Sequence, residues 1–149
     1  MSYLLIQRLG LIRDEFAVAR AAVDYVEHSW PETHREPAFG DLRLSQVRFA
    51  GTHLEATYLV RLFSAFEAVL RDMLPHPYPL RPDGRSAYNL INRAASKWRL
   101  AADVRDAAHR VREARNQAVH QNQPVLQEYP FVEALAALNR FLSWLPDTP

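Results

Sequence analysis

Residues 112–124 read REARNQAVHQNQP, and within them Arg115 is followed, after four residues, by His120. Those two side chains suit phosphoryl chemistry. A guanidinium presents five donors in a planar fork that matches the oxygens of a phosphate. An imidazole, with an ordinary pKa near 6.5, takes up or releases a proton close to neutral pH. Asn116 stands four residues before His120, so the two share one face of a helix.

Placing the strip on an ideal helix defines what these groups face. Val104, Ala108, Val111 and Ala118 form an apolar stripe. Arg115 comes round to within about 20° of Val104 at roughly 100° per residue. A cation near a core-facing line calls for a carboxylate, a set of carbonyls or a phosphate. His120 points about 140° away from Arg115 and lies about 7.5 Å further along the axis. Spacing alone therefore leaves the pair on different sides, and they converge only if the last turn loosens, the arginine stem bends, or a second chain contributes. A plain structural reading stands beside this one: a histidine in the last turn of a helix complements the negative end of its dipole.

The elements that would hold the strip are helical. The first runs over about 3–28, with Leu4, Leu5, Leu9, Ile12, Phe16, Ala19, Val23 and Val26 at helical spacing. Pro31, Pro37 and Gly40 mark a loop. Ser45 is the expected cap of a second helix over about 45–74. Its apolar residues, among them Leu59, Leu62, Phe63, Phe66, Val69, Leu70 and Met73, cover more than one face, as befits a central helix. Arg61 and Glu67 on it are candidates to support the site, Glu67 by bonding Arg115 or by forming an ordinary ion pair. PHPYPLRPDGR, residues 75–85, cannot be helix. It reads as a connection rather than as a proline-rich ligand for another domain. A shorter helix starts at Ser86, another runs over about 101–121 until Pro124, with Asn122 as a possible terminus, and a last one spans about 131–145 before Pro146. The sum, over 1–149, is one all-α domain, a largely up-and-down bundle of four to five helices.

Composition narrows the chemistry. There is no cysteine, and no two of the six histidines lie three or four apart, so neither thiolate nor paired-histidine metal sites are expected. Carboxylate clusters for two-metal chemistry are also lacking, and no cofactor is predicted. His109 with Glu113 reads as an exposed helical pair, and Trp98 and Trp144 as core or interface fillers. Charged residues come too early for a signal-peptide core and no apolar run reaches membrane-spanning length, so the expectation is a cytoplasmic protein without membrane contact. Net charge is +1, yet residues 81–120 hold nine Lys and Arg against four Asp and Glu. That local surplus has the sign of a phosphate-facing surface, although helix faces are often lopsided in charge.

REARNQAVH, preceded by a long helix containing RLFSAFEAVLRD, resembles the HEPN superfamily of small helical bundles. Its members carry an arginine, four to six residues and a histidine, frequently with a polar residue such as Asn116 after the arginine. The resemblance spans about 45–145 and places the motif at the end of the fourth helix. It implies a metal-independent ribonuclease of the toxin or defence type, a homodimer whose two motifs meet, RNA as partner, and a possible cognate antitoxin protein. Arg115 and His120 would be its catalytic residues, with Asn116, Glu67 and Arg61 supporting. Its alternative is a HEPN-like domain that binds RNA or protein without catalysis. In the branch paired with small nucleotidyltransferases a tyrosine lies two residues beyond the histidine, where this chain has Asn122.

Overall fold

The computed structural model describes residues 2–33, 40–74, 86–119 and 129–146. Six helices follow one another: α1 (Ser2–His28), α2 (Trp30–Thr33), α3 (Leu44–Met73), α4 (Ala87–Lys97), α5 (Ala102–Val119) and α6 (Phe131–Leu142). No strand occurs among the described residues. The fold is thus all-helical, with five substantial helices and the single turn of α2. That turn lies where Pro31 predicts loop; a proline is tolerated in a first helical turn, whose N–H groups lack intrahelical partners in any case.

The ends of the helices show which local signals hold. Ser86 caps α4, its Oγ accepting the Asn89 N–H at 3.2 Å. Ser45 does not cap α3. Arg43 occupies that position, and Gln46 Oε1 accepts the Arg43 N–H at 2.8 Å, which puts Ser45 inside the first turn. The start of α6 is closed from far away in sequence: Glu55 Oε2 accepts the Phe131 N–H at 2.7 Å. A carboxylate there satisfies a free donor and complements the positive end of the helix dipole. Glu55→Ala is therefore expected to cost about 1.5–3 kcal/mol, the range for hydrogen bonds to charged groups. Urea unfolding should show a lower midpoint with an unchanged slope.

Helix α3 touches α1, α4, α5 and α6, so the two-sided apolar pattern does mark a central helix. Phe63 and Phe66 are fully buried on it. Phe66 meets Phe141 of α6 edge-to-face, with centroids 5.2 Å apart. Phe16 of α1 lies 4.3 Å from Phe131 of α6 and 5.4 Å from Tyr58 of α3. Val132, next to the buried Phe131, is 69% exposed. It sits about 100° round from Phe131, outside the arc that Ala134, Leu135, Leu138 and Phe141 bury.

Side-chain pairings fix the helix directions. Glu15 with Arg61 at 2.6 Å and Glu27 with Arg48 at 2.9 Å make α1 and α3 antiparallel. Asn92 with His109 and Tyr88 with Arg112 do the same for α4 and α5. Asp103 with Arg140 at 2.7 Å, near the start of α5 and the end of α6, sets those two opposed. Glu55 reaches Phe131 while Phe66 meets Phe141, so α3 and α6 run parallel. It follows that α3 and α4 also run the same way, which departs from a strict up-and-down order. The two are joined through residues 75–85, which lie outside the described residues.

Helices α1 and α3 are much longer than α6, 27 and 30 residues against 12. Their far halves extend beyond the main core as a two-helix arm in which Ala19, Val23 and Val26 are only half-buried. Close approach there depends on Gly51, where a Cβ would meet Val23 Cγ1 at 3.0 Å.

Candidate functional site

Helix α5 is set against α4 by a tight reversal. Arg99 takes a left-handed φ of 54°, and the Leu100 N–H returns to the Ala95 carbonyl at 2.9 Å, the arrangement that closes a helix C-terminus. Trp98 and Leu100 pack against the core on either side of it. From this anchor Val104, Ala108 and Val111 bury one line of α5.

Arg115 lies at the edge of that line and is half-buried, as its register predicts. Its guanidinium carbon is 5.7 Å from the Phe63 ring centroid, and Nη1 donates to Asn116 Oδ1 at 3.0 Å. Nε is buried without a hydrogen-bond partner, and no carboxylate among the described residues pairs with Arg115. A half-buried guanidinium that no carboxylate among the described residues neutralises favours an anion that reaches it. Asn116 holds Arg115 in the structure. His120, Gln121, Asn122 and Pro124 lie outside the described residues.

The two supporting candidates on α3 are engaged elsewhere. Glu67, with a side chain 13% exposed, pairs with Arg71 at 2.5 Å and is not bonded to Arg115. Four residues apart on one helix, the two are natural neighbours. Arg61 pairs with Glu15 of α1 and lies 5.1 Å from the Tyr58 ring centroid. It faces α1, away from the helix that carries Arg115.

The group that spacing alone misreads is His109. It is not an exposed partner of Glu113, whose carboxylate bonds Arg112 instead at 3.1 Å. His109 is partly buried against α4, with Nε2 donating to Asn92 Oδ1 at 3.1 Å and its ring 4.8 Å from that of Tyr88. Nδ1 is buried with no partner. Arg112, its side chain 18% exposed, lies 5.0 Å from the Tyr88 centroid and has a buried, unpaired Nε of its own. The sequence signal was a pair of matched spacings: Tyr88 and Asn92 four apart on α4, His109 and Arg112 three apart on α5.

Burial holds the His109 pKa below its ordinary 6.5, and the positive charges of Arg112 and then Arg105 lower it further, against weaker opposition from Asp106 and Glu113. Above pH 6.5 the ring is neutral both folded and unfolded and contributes no pH dependence. As pH falls below that value the unfolded chain takes up a proton first, so stability is lost until the folded pKa is reached. His109→Gln should flatten this part of the acid-side decline, read as urea midpoints across mildly acidic pH. An unchanged slope would remove His109 from the account.

On the other flank of α5 a cleft of about 340 Å³ opens toward α6, lined by Arg110, Glu113, Gln117, Tyr129 and Glu133 among others. Among the described residues no three His, Cys, Asp or Glu side chains group to hold a metal ion, and no helix is long and apolar enough to cross a membrane. Fold and site together define an all-helical bundle that presents a half-buried arginine without a carboxylate partner among the described residues. No family model, curated protein or solved structure matches the chain.

Proposed function

We propose that the protein is a metal-independent endoribonuclease of the toxin or defence type, acting as a homodimer. The supporting observation is Arg115, half-buried at the margin of the core with no carboxylate partner among the described residues. Structural arginines at such positions ordinarily find a carboxylate. This one has none among the described residues, which suits it to hold a phosphate.

In the proposed reaction the ribose 2′-OH attacks the adjacent phosphorus. One P–O bond forms and the P–O5′ bond breaks, giving a 2′,3′-cyclic phosphate and a 5′-hydroxyl. One His120 takes the 2′-OH proton while its twofold mate gives a proton to the departing O5′, and Arg115 stabilises the growing negative charge on the phosphoryl oxygens. Asn116 fixes the guanidinium through Oδ1. The angular separation of Arg115 and His120 on an ideal helix is the reason for a dimer, in which a twofold axis supplies each group twice. A cognate antitoxin would act by covering this strip.

The test is cleavage of single-stranded RNA by purified protein in excess chelator, with end-group analysis. Cyclic phosphate and 5′-hydroxyl ends are the expected products. RNA that is bound but left intact would favour the non-catalytic alternative, an RNA-binding domain of the same fold.

A further inference from the structure

We infer that the outer face of the α4–α5 hairpin is a docking track for single-stranded RNA, with Tyr88 as its base-stacking platform and Arg105 as a phosphate contact. This deepens the proposed function, since it rests on RNA being the ligand, but it concerns a surface separate from the Arg115 and His120 pair. Three observations carry it.

First, the α4–α5 hairpin taken as a whole is basic. Residues 86–119 hold seven Lys and Arg against three Asp and Glu, in a chain whose net charge is +1, so the remainder is negative. Second, the polar residues of α5 are in register. Arg105, His109, Arg112 and Asn116 succeed one another at intervals of four, three and four, which keeps them on one strip of α5 about 16 Å long. That strip leads to the residue bonded to Arg115. Third, an aromatic ring interrupts the basic strip. Tyr88 is 52% exposed even though His109 and Arg112 back its ring.

An accessible arginine beside an exposed ring suits a single strand, whose unpaired bases stack on aromatic faces while its phosphates follow positive charge. A duplex keeps its bases inside and gains nothing from Tyr88. The opposing carboxylates, Asp106 on Arg105 and Glu113 on Arg112, are half or more exposed and joined to sequence neighbours. The Arg105–Asp106 pair, accessible on both sides, is weak and gives way to a phosphate readily, whereas Arg112, its side chain 18% exposed, serves the track by lying against Tyr88. His109 contributes by staying neutral: with Nε2–H bonded to Asn92, it holds Tyr88 in place without adding an unpaired buried charge.

The experiment measures fluorescence anisotropy of a short labelled 2′-O-methyl oligouridylate, which has no free 2′-OH and so reports binding without cleavage. Tyr88→Leu keeps an apolar side chain over His109 but removes the π-face, and should weaken binding by about 5- to 100-fold. Tyr88→Phe should bind as wild type does. Arg105→Ala, on an exposed side chain, should reduce the slope of log affinity against log salt by about 0.7. Annealing the probe to its complement should weaken binding.

Wild-type affinity in Tyr88→Leu, or an Arg105→Ala slope equal to wild type, overturns the track. So does a duplex bound as well as the single strand. These results are independent of catalysis. If the variants behave as expected while ordinary RNA stays uncut, the track stands and the ribonuclease reading falls. If RNA is cut and Tyr88→Leu cuts it with unchanged KM, the track falls and the ribonuclease reading stands.

Discussion

Alanine in place of His120 is expected to slow RNA cleavage by about 10²–10⁴-fold, the usual contribution of a positioned acid or base. Binding of the uncleavable probe should change far less than cleavage does, because Arg115 is left in place to hold the phosphate. Arg115→Ala should lose cleavage to a similar or greater degree and weaken binding as well. It offers a sharper separation of roles than most arginine deletions. Arginines buried in ion pairs leave an orphaned carboxylate behind when they are removed, and the fold suffers. Arg115 has no such partner among the described residues, only the Asn116 amide and the Phe63 ring, so the urea midpoint should move little. Lysine at 115 should not restore activity, since a single ammonium lacks the planar fork. Mixing Arg115→Ala with His120→Ala protein then tests how the two groups combine. Regained cleavage requires a working pair assembled across two chains. Full activity in either single variant would end the proposal for this strip.

Much of this architecture is local and therefore readable in sequence. The apolar spacing of α3 identifies a helix surrounded by others because burial on two sides needs apolar residues on two sides, and α3 does contact four helices. Ser86 marks the start of α4 because a capping oxygen needs only the N–H three residues ahead. Arg115 at the edge of the core follows from its rotation relative to Val104, which a single helix determines by itself.

What escapes the sequence depends on how helices are turned toward one another. Glu55 and Phe131 are 76 residues apart, and nothing local in either announces that one closes the helix of the other. His109 illustrates the same limit. Its spacing to Glu113 satisfies a helical pair, yet the choice between Glu113 and Asn92 is made by the packing of α4 on α5. Gln46 displaces Ser45 as the relevant side chain because a reciprocal bond to the Arg43 N–H is as good a start as a serine cap. Glu67 likewise has two plausible cations within reach in principle, and the one on its own helix wins by proximity.

Phe66→Ala should be the most damaging single change to the fold, costing about 3–5 kcal/mol. Small domains have a total stability of about 5–15 kcal/mol, so the variant should unfold at much lower urea. The magnitude follows from position. Phe66 is wholly buried, meets Phe141 of α6 edge-to-face at 5.2 Å and lies 5.8 Å from Phe63 on its own helix. A hole at this point cannot collapse by moving one helix, because α3 is shared among α1, α4, α5 and α6. Phe66→Leu refills part of the volume and should cost less, though the aromatic contact with Phe141 is still lost. Phe63 links this core to the strip, since its ring also lies beneath the Arg115 guanidinium. Cleavage per folded molecule at low temperature should therefore fall in Phe66→Ala, whereas Glu55→Ala, which loosens α6 alone, should leave it unchanged. A loss below about 1 kcal/mol in Phe66→Ala would mean that the cavity closes on itself, and with it would go the argument that α3 holds Arg115 in a rigid setting.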